Sequence, residues 1–430
     1  MSKLQAPRGT RDLYPKDCAW RNFLLDAWRR VSIRNGFEEV DGPIFEHLDL
    51  YKVKSGDGIV SELFHFEDRG GRGLAIRPEF TPTLARMVAA KANALPRPIK
   101  WFCVPNLCRA ERPQRGRLRE FWQWNADIMG LDGATADAEC IFTVVDLMQE
   151  LGLEPGHVRM KISHRTTVKD ILLKLGVAED KLLSAFDLLD RRDKMEPEAF
   201  TEAAAKLGME PERVERFEQM CRCKYPCGEL DQLREQTGIQ DLADLEELDA
   251  QLQAFGIADW CEYDLGIVRG LAYYTGTVFE VHEASGALRA MAGGGRYDQL
   301  VELFGGPSMP AVGFGMGDVV LSEVLIDKGL MPDDVSPCPD VFIVAASDTG
   351  ATKVGPIASR LRWKGIHARY SYKTTRNVGK LLKEAATARS RFALILGDDA
   401  TNGKAELKNM ETGDQQVIAL ADLEKLVAGK

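Results

Sequence analysis

Residues 109–130 read RAERPQRGRLREFWQWNADIMG, an arginine-rich loop followed by a stretch that alternates between two kinds of side chain. In a β-strand, every second side chain points to the same face. One face would carry Phe121, Gln123, Asn125 and Asp127, and the other Trp122, Trp124, Ala126 and Ile128. The apolar face predicts packing on a core. The polar face predicts either the wall of a pocket or an ordinary solvent-exposed sheet surface.

The loop before this strand carries a high density of positive charge. Its five arginines are Arg109, Arg112, Arg115, Arg117 and Arg119, and its single acid is Glu111. Such a cluster needs either an anion or a solvated surface. Beside a polar strand face that ends in a carboxylate, it suits a pocket that holds a polyphosphate at one end and a small cationic molecule at the other.

The surrounding sequence predicts a β-rich domain with a few helices. Residues 20–34 have helical periodicity that ends at Asn35-Gly36, and Thr81 is expected to cap a helix that has Pro82 at its first position. Residues 100–106 and 119–129 read as the two arms of a long hairpin. Further extended runs are predicted at residues 37–40, 158–162, 261–282, 288–293 and 311–315. Together these elements indicate a mainly antiparallel sheet.

Two other regions differ in character. Residues 165–255 are dominated by charged helical periods and are interpreted as a helical insertion, with the enclosing domain formed by residues 1–164 and 256–330. A proline-rich linker over residues 331–339 leads to a C-terminal domain, residues 338–430. There, extended runs at residues 341–346, 367–372 and 392–396 alternate with helical stretches, which is the βαβ pattern of a small parallel sheet.

Charge separates the regions more clearly than composition does. The 430 residues carry a formal net charge of −9, but residues 353–391 contain eleven Lys or Arg and one acid, Glu384. This basic block is an electrostatic footprint for nucleic acid. No apolar run approaches the roughly 18 residues that cross a bilayer, and a cytoplasmic location is expected.

Cysteine and glycine motifs narrow the chemistry. The nine cysteines are expected to be reduced thiols. Cys221, Cys223 and Cys227 could be zinc ligands, but no nearby Cys or His completes a set, so they read as surface or core thiols and no metal site is predicted. Glycine-rich stretches at residues 313–318 and 397–404 fail the spacing of nucleotide-binding fingerprints.

A second glycine-rich cluster has VRGLAYYTG at residues 268–276 and GGGRYD at residues 293–298. Consecutive glycines beside Arg and Tyr allow the backbone to approach a ligand while a charge and a hydroxyl point at it. The alternative for Tyr273 and Tyr274 is a half-buried aromatic pair in a strand. Pattern alone leaves both readings open.

Five segments taken together resemble the histidyl-tRNA synthetases, a family of class II aminoacyl-tRNA synthetases. They are GFEEVDGPIFEHLDL from residue 36, RPEFT from 77, RAERPQRGRLREFWQWNAD from 109, RGLAYYTG from 269 and GGGRYDQL from 293. The resemblance runs over essentially the whole chain. It implies an α+β catalytic domain on a mixed, mainly antiparallel sheet with flanking helices, an all-α insertion, and a C-terminal α/β anticodon-binding domain. It also implies a homodimer with Pro43 at the interface.

The resemblance further implies an activity and its residues. L-Histidine would react with ATP, accompanied by Mg²⁺, to give histidyl-adenylate, and the histidyl group would pass to the 3′ end of tRNA(His). Histidine would be bound by Glu79, Thr81, Arg109, Gln123, Asp127, Arg269, Tyr273 and Tyr274. ATP would be bound by Arg109, Glu111, Arg117 and Phe121. Arg109 and Arg269 would be the catalytic pair that neutralises the reacting phosphate.

Three positions depart from the family pattern. The third class motif usually ends in Gly-x-Glu-Arg, but this sequence has Val319 and Val320 at the last two places. The missing arginine would cover adenine, so another arginine is expected to replace it or ATP to bind weakly. Ala272 replaces an Asp that is frequent in the family, and Asp127 stands where many bacterial members have Glu.

Two other functions compete with this reading. A synthetase-like regulatory subunit of ATP phosphoribosyltransferase binds histidine without charging tRNA, and the altered third motif favours it slightly. Arg109, Gln123, Arg269 and the basic C-terminal block argue against it. A nonenzymatic RNA-binding protein would explain the basic block but none of the pocket residues.

Overall fold

A computed structural model describes residues 4–55, 57–192, 195–268, 274–286 and 288–428. The chain forms two compact units, residues 1–334 and 335–430. The helices of the first unit are α1 Pro15–Arg34, α2 Leu48–Ser55, α3 Thr81–Lys91, α4 Ala134–Glu150, α5 Arg165–Lys174, α6 Leu182–Arg191, α7 Pro197–Lys206, α8 Pro211–Arg222, α9 Leu230–Thr237, α10 Ala243–Ala254, α11 Leu300–Leu303 and α12 Asp318–Asp327. Its strands are β1 Glu38–Glu39, β2 Phe45–His47, β3 His65–Glu67, β4 Gly73–Ile76, β5 Ile99–Cys103, β6 Asn106–Cys108, β7 Glu120–Met129, β8 Val158–His164, β9 Tyr225–Pro226, β10 Cys261–Tyr263, β11 Thr277–Glu283, β12 Ala292–Arg296 and β13 Ala311–Gly317.

One large sheet organises the first unit. Its strand order is β1-β5-β7-β13-β12-β11-β8-β10-β9, and β6 pairs with the end of β7. Strands β1 and β5 are parallel, as are β8 and β10, whereas the other neighbouring pairs are antiparallel. The predicted mixed, mainly antiparallel sheet with flanking helices is confirmed.

Strand β7 has the two faces that its alternation predicts. On one face, Trp124, Ala126 and Ile128 are fully buried in the main apolar cluster. The Trp124 ring stacks against Trp28 of α1 with a centroid distance of 6.3 Å, and its indole N–H donates to Ser32 Oγ at 2.8 Å. Burial of the apolar face on α1 and α4 leaves the polar face to line the opposite side of the sheet.

Helix α1 stops where the sequence predicts. Gly36 follows the helix with a φ of +78°, a conformation that costs glycine little and other residues more. Helix α3 differs in one detail from the prediction, because Thr81 is its first residue and makes no capping hydrogen bond. The Thr81 side chain instead borders a cavity.

Glycines allow β12 and β13 to lie close to their neighbours. A Cβ atom at Gly294 would lie 2.4 Å from the Gly313 carbonyl oxygen and 2.5 Å from the Phe279 ring. A Cβ at Gly313 would lie 2.0 Å from Asp127 Oδ1. All three distances are far below van der Waals contact. The space that side chains would fill is therefore occupied by the ring of β11 and the carboxylate of β7.

The described residues of the segment 165–255 form helices and connecting turns, as predicted, and the two-residue strand β9 is the one strand among them. Helices α5 to α10 lie in this segment, and their apolar side chains belong to the same buried cluster as α1, α4 and β7. Strand β9 extends the large sheet by pairing with β10. The segment thus shares a continuous core with the rest of the first unit.

The second unit has its own sheet and core. Its strands are β14 Val341–Ala345, β15 Ala368–Tyr370, β16 Phe392–Leu396, β17 Lys404–Asn409 and β18 Gln415–Ala419, and its helices are α13 Asp348–Trp363, α14 Val378–Thr387 and α15 Leu423–Val427. The order is β15-β14-β16-β17-β18. The first three strands are parallel, as the βαβ pattern predicts, whereas β17 and β18 add an antiparallel edge that was not predicted.

Among the described residues of the chain, no helix has the length and apolarity needed to cross a membrane.

The close packing around Gly294 gives a test of the sheet. Gly294→Ala is expected to lower the free energy of unfolding by about 1–3 kcal/mol, because the added methyl group overpacks the sheet. Urea unfolding followed by tryptophan fluorescence measures the change. Gly156→Ala is the matched control, since a Cβ there would meet nothing within 4 Å. Equal stability of the two variants would contradict the packing argument.

Candidate functional site

Two adjoining cavities lie on the polar side of the large sheet. The smaller has a volume of about 90 Å³ and the larger about 290 Å³. Arg109, Gln123, Gly293 and Gly315 line both of them. A molecule in one cavity and a molecule in the other would therefore meet beside Arg109 and Gln123.

The smaller cavity is lined mainly by polar groups. Its polar side chains come from the α3 entry, from β7 and from the segments around β11 and β12: Glu79, Thr81, Arg109, Gln123, Asn125, Asp127, Tyr274 and Tyr297. Tyr274 is buried, with 7% of its surface exposed. Such a site suits a small polar ligand, because buried hydrogen-bonding groups reject ligands that leave them unpaired.

Asp127 is the most perturbed carboxyl of the smaller cavity. It is 4% exposed and accepts a short hydrogen bond from the Tyr297 hydroxyl. Burial raises the pKa of Asp127 to about 7, and the hydrogen bond from Tyr297 opposes part of that rise. An unfolded Asp has a pKa of about 3.9, so the folded chain retains this proton between pH ~4 and ~7. The contribution of this carboxyl to the free energy of unfolding therefore falls as the pH rises through that range.

Arg77 fixes the segment that carries Glu79 and Thr81. Its Nη1 donates to Asp41 Oδ1 at 2.8 Å and to the Gly42 carbonyl at 2.9 Å. Its Nε donates to the Asn106 carbonyl oxygen at 3.0 Å, beside the start of β6. The buried guanidinium thus ties the entry of α3 to two other parts of the chain. This anchoring holds the Glu79 and Thr81 side chains at the cavity wall.

The larger cavity is bordered by the arginine-rich loop. Arg109 donates through Nε to the Pro78 carbonyl at 3.0 Å, and its guanidinium carbon lies 5.1 Å from the centre of the Phe121 ring. Arg117 pairs with Glu111. The ring and both guanidinium groups line the cavity. Planar cations beside an aromatic ring can bind a ligand that has phosphates and a heterocyclic base.

The altered third motif lies on the wall of the same cavity. Val319 and Val320 both line it, and Val320 is 7% exposed. A Cβ at Gly116 would lie 3.3 Å from Val320 Cγ2, so the arginine-rich loop approaches this valine closely. The preceding residue, Asp318, is buried and forms an ion pair with Arg11 at 2.7 Å. The wall that the motif contributes is apolar where the family pattern has charge.

Most of the predicted site residues come together. Glu79, Thr81, Arg109, Gln123, Asp127 and Tyr274 line the smaller cavity, and Arg109, Arg117 and Phe121 line the larger one. Glu111 holds Arg117 and does not itself line either cavity among the described contacts. Arg269 and Tyr273 lie outside the described residues.

Four lining residues with polar or charged side chains were not assigned a role from the sequence. Asn125 and Tyr297 line the smaller cavity, and Glu280 and Arg289 line the larger one. Asn125 shares the polar face of β7, and Tyr297 belongs to the GGGRYD segment, so both had a signal in the sequence. Glu280 and Arg289 have no such signal, because strand pairing alone brings them to the cavity.

Metal binding finds no support in the described part of the chain. No group of three or more His, Cys, Asp or Glu side chains is arranged there to hold an ion. Cys221 is buried, and burial raises its pKa to about 12. A thiol that stays protonated is a poor metal ligand.

Comparisons with known proteins agree with the geometry. The family model described as histidyl-tRNA synthetase matches residues 9–318, and that of an anticodon binding domain matches residues 340–430. The histidine–tRNA ligase of Opitutus terrae is 38% identical over 99% of this chain and 98% of its own length. The chloroplastic/mitochondrial histidine–tRNA ligase of Arabidopsis thaliana is 36% identical over 97% of this chain and 85% of its own.

Solved structures show the same fold. A histidyl-tRNA synthetase from a Nostoc species superposes with a TM-score of 0.82 at 24% identity, covering 99% of both chains. A Bacillus halodurans protein described as an ATP phosphoribosyltransferase regulatory subunit/histidyl-tRNA synthetase gives 0.73 at 20% identity over 92% of this chain and 98% of its own. On the family match and the full-length relatives together, the chain belongs to the histidyl-tRNA synthetase family.

Proposed function

We propose that the chain is a histidine–tRNA ligase that activates L-histidine with ATP to histidyl-adenylate and transfers the histidyl group to the 3′ end of tRNA(His). The observation that carries this proposal is the pair of cavities joined at Arg109. Activation requires the histidine carboxylate to reach the α-phosphate of ATP, and two adjoining pockets bring these groups together without a further step. Holding two reactants in this way removes much of the entropic cost of the reaction.

In this proposal the smaller cavity binds histidine. Glu79 and Thr81 bind the ammonium group, with Gln123 assisting. Asp127, Tyr274 and Tyr273 recognise the imidazole. Tyr297 supports the recognition by donating its hydroxyl hydrogen to Asp127. Burial of the carboxylate favours a ligand that can donate a hydrogen bond to it, which the imidazole does.

The larger cavity binds ATP. Arg109 contacts the α-phosphate, and Arg269 neutralises charge on the same phosphate as the carboxylate attacks and pyrophosphate leaves. Phe121 stacks on adenine. Arg117 and Glu111, which form an ion pair, contact the nucleotide together. Mg²⁺ enters with ATP and is held mostly by the phosphates, since Glu280 is the one carboxylate among the described lining residues.

The C-terminal unit is proposed to bind the anticodon of tRNA. It contains the whole basic block of residues 353–391, and Trp363 and Tyr372 are 87% and 86% exposed. The Tyr370 and Tyr372 rings lie 5.0 Å apart beside a cavity that Arg362 and Arg369 also line. Exposed aromatic rings with nearby arginines are suited to stacking on unpaired bases. The boundaries 1–164 with 256–330, 165–255 and 338–430 remain the proposed domain limits.

The regulatory subunit of ATP phosphoribosyltransferase is the second candidate function. Val319 and Val320 favour it, because they leave the third motif without its usual charges. The match of residues 340–430 to an anticodon binding domain disfavours it, since a histidine sensor has no use for tRNA recognition. The ligase accounts for both units of the chain.

The ligase makes a direct prediction. Purified chain with histidine, ATP and labelled pyrophosphate should exchange label into ATP, and total bacterial tRNA should become charged with labelled histidine. Substitution of histidine by histidinol in the exchange assay is the control, because histidinol lacks the reacting carboxylate. Histidine binding without exchange or charging would identify the regulatory function instead.

The raised pKa of Asp127 predicts a pH dependence. Below pH ~7, kcat/KM for histidine should fall by up to about tenfold per pH unit, because the ionised carboxylate accepts a charge-assisted imidazole hydrogen bond that the protonated carboxyl cannot match. Asp127→Asn should lower kcat/KM at pH ~8 by about a hundredfold or more and should lose this limb of the profile. The profile is measured by pyrophosphate exchange.

Asp127→Asn also controls for titration of the histidine substrate, whose imidazole has a pKa of about 6. A fall that persists unchanged in Asp127→Asn would assign the pH dependence to the substrate and not to Asp127. KM for ATP should be insensitive to the substitution.

We further propose that the chain is a homodimer. The small sheet β2-β4-β3 has an exposed apolar surface, with Phe45 and Phe66 exposed by 49% and 43% and their ring centroids 6.2 Å apart. Ile44, beside Pro43, is 54% exposed. A contiguous apolar surface of this kind favours burial against a protein partner, and a second copy of the chain is the partner proposed.

The cytoplasmic location stays a prediction from the sequence.

Charged substitutions in this surface should separate the subunits. Phe45→Asp with Phe66→Asp should raise the dimer dissociation constant at least about a hundredfold, because a buried unpaired charge is costly. Sedimentation velocity at micromolar concentration measures the change. Val417→Asp, at a position of the second unit that is 69% exposed, is the control and should leave the mass unchanged. An unaltered mass for the double variant would place the interface elsewhere.

A further inference from the structure

Arg289 is a third cation in the larger cavity that the family resemblance does not assign. It lies between β11 and β12, far along the chain from the arginine-rich loop, and it lines the cavity together with Arg109 and Arg117. Its side chain is accessible to solvent. Three guanidinium groups from two parts of the chain therefore border one cavity.

The three cations differ in what they bind within the chain. Arg109 donates to the Pro78 carbonyl, and Arg117 pairs with Glu111. Among the described residues, Arg289 takes part in no hydrogen bond or ion pair. Glu280 is an acid on the same cavity wall, but its Oε2 atom lies 2.8 Å from His282 Nε2. Of the three guanidinium groups, that of Arg289 is the one with all its hydrogen-bond donors available for a ligand.

The surroundings of Arg289 are unfavourable for a cation. Partial burial and the nearby Arg117 and Arg109 lower the pKa of its guanidinium, although Glu111 and Glu280 oppose the fall. Arginine stays charged even so. Among the described residues, the three guanidinium groups face only these two carboxylates, so the excess positive charge destabilises the empty cavity. An anion of several charges would remove this cost and gain charge-assisted hydrogen bonds.

The apolar third motif makes this cation more significant. Val319 and Val320 line the same cavity, at the positions where the family pattern has Glu and Arg. We propose that Arg289 binds the polyphosphate of ATP and supplies the positive charge that this chain lacks at Val320. The inference rests on the proposed ligase function and adds a residue to its ATP site.

The cavity favours contact with phosphates over stacking on adenine. Arg117 and Arg109 of the arginine-rich loop repel the guanidinium of Arg289, and this repulsion is relieved most where the ligand is most negative. Phe121 already offers an aromatic face, which Arg109 covers from one side at 5.1 Å. A polyphosphate is thus the part of ATP that needs a third guanidinium.

Neutral and charged replacements of Arg289 test the proposal in the full-length chain. Arg289→Gln should weaken binding of Mg-ATP about tenfold to a hundredfold, and Arg289→Lys should lose less, since it keeps the charge without the fork geometry. Binding of AMP should change less than about threefold, because AMP lacks the β- and γ-phosphates. Calorimetry with ATP and with AMP measures both affinities, and pyrophosphate exchange gives KM for ATP and for histidine.

The control is Arg222→Ala, which removes an exposed arginine of α8 that pairs with Glu218. It should alter neither affinity. Unchanged ATP binding by Arg289→Gln, or an equal loss for ATP and AMP, would overturn the proposal. If the unaltered chain binds ATP through Arg289 but shows no histidine-dependent exchange, the ligase function fails while the role of Arg289 in polyphosphate binding stands.

Discussion

The structure depends on one strand that must satisfy two environments at once. Trp124, Ala126 and Ile128 of β7 are buried against α1 and α4, and this apolar packing fixes the strand between β5 and β13 of the large sheet. The period of two then directs Gln123 and Asp127 into the cavities on the other side. A shift of one residue in register would exchange the faces, losing the core and the site together. Stability and ligand binding are therefore specified by the same alternation.

The polar side of β7 also constrains its neighbours. A carboxylate buried in a sheet needs space, and β13 provides it by having Gly313 opposite Asp127. Tyr297, just after β12, provides the hydrogen bond that Asp127 needs. The glycine-rich strands are thus explained by what the adjacent strand must hold, and not by turns or flexibility.

Local patterns in the sequence predicted much of this arrangement. The alternation of β7, the stop of α1 at Gly36 and the helical run of residues 165–255 all depend on near neighbours in the chain, and each was confirmed. Most of the residues assigned from the family motifs line one of the two cavities. The predicted cap at Thr81 was wrong. Thr81 is the first residue of α3, and its side chain faces the cavity and makes no capping hydrogen bond.

The parts that could not be predicted arise from pairing between distant segments. Arg289 and Glu280 reach the larger cavity only because β12 pairs with β13 and β11 pairs with β12 in the folded sheet. The antiparallel β17 and β18 extend a sheet whose parallel strands alone had a βαβ signal. The pKa of Asp127 likewise depends on burial by strands that follow it in the chain by more than a hundred residues. No local pattern contains such information.

The walls shared by the two cavities have a thermodynamic consequence. Arg109 and Gln123 face both spaces, so a ligand that orders either side chain in one cavity changes what a ligand in the other must still order. The coupling free energy between two bound ligands is reciprocal, so each must alter the affinity of the other by the same factor. Histidine and ATP, in the proposed assignment, are then not independent substrates. The cost of immobilising the shared side chains is met once, by whichever ligand arrives first.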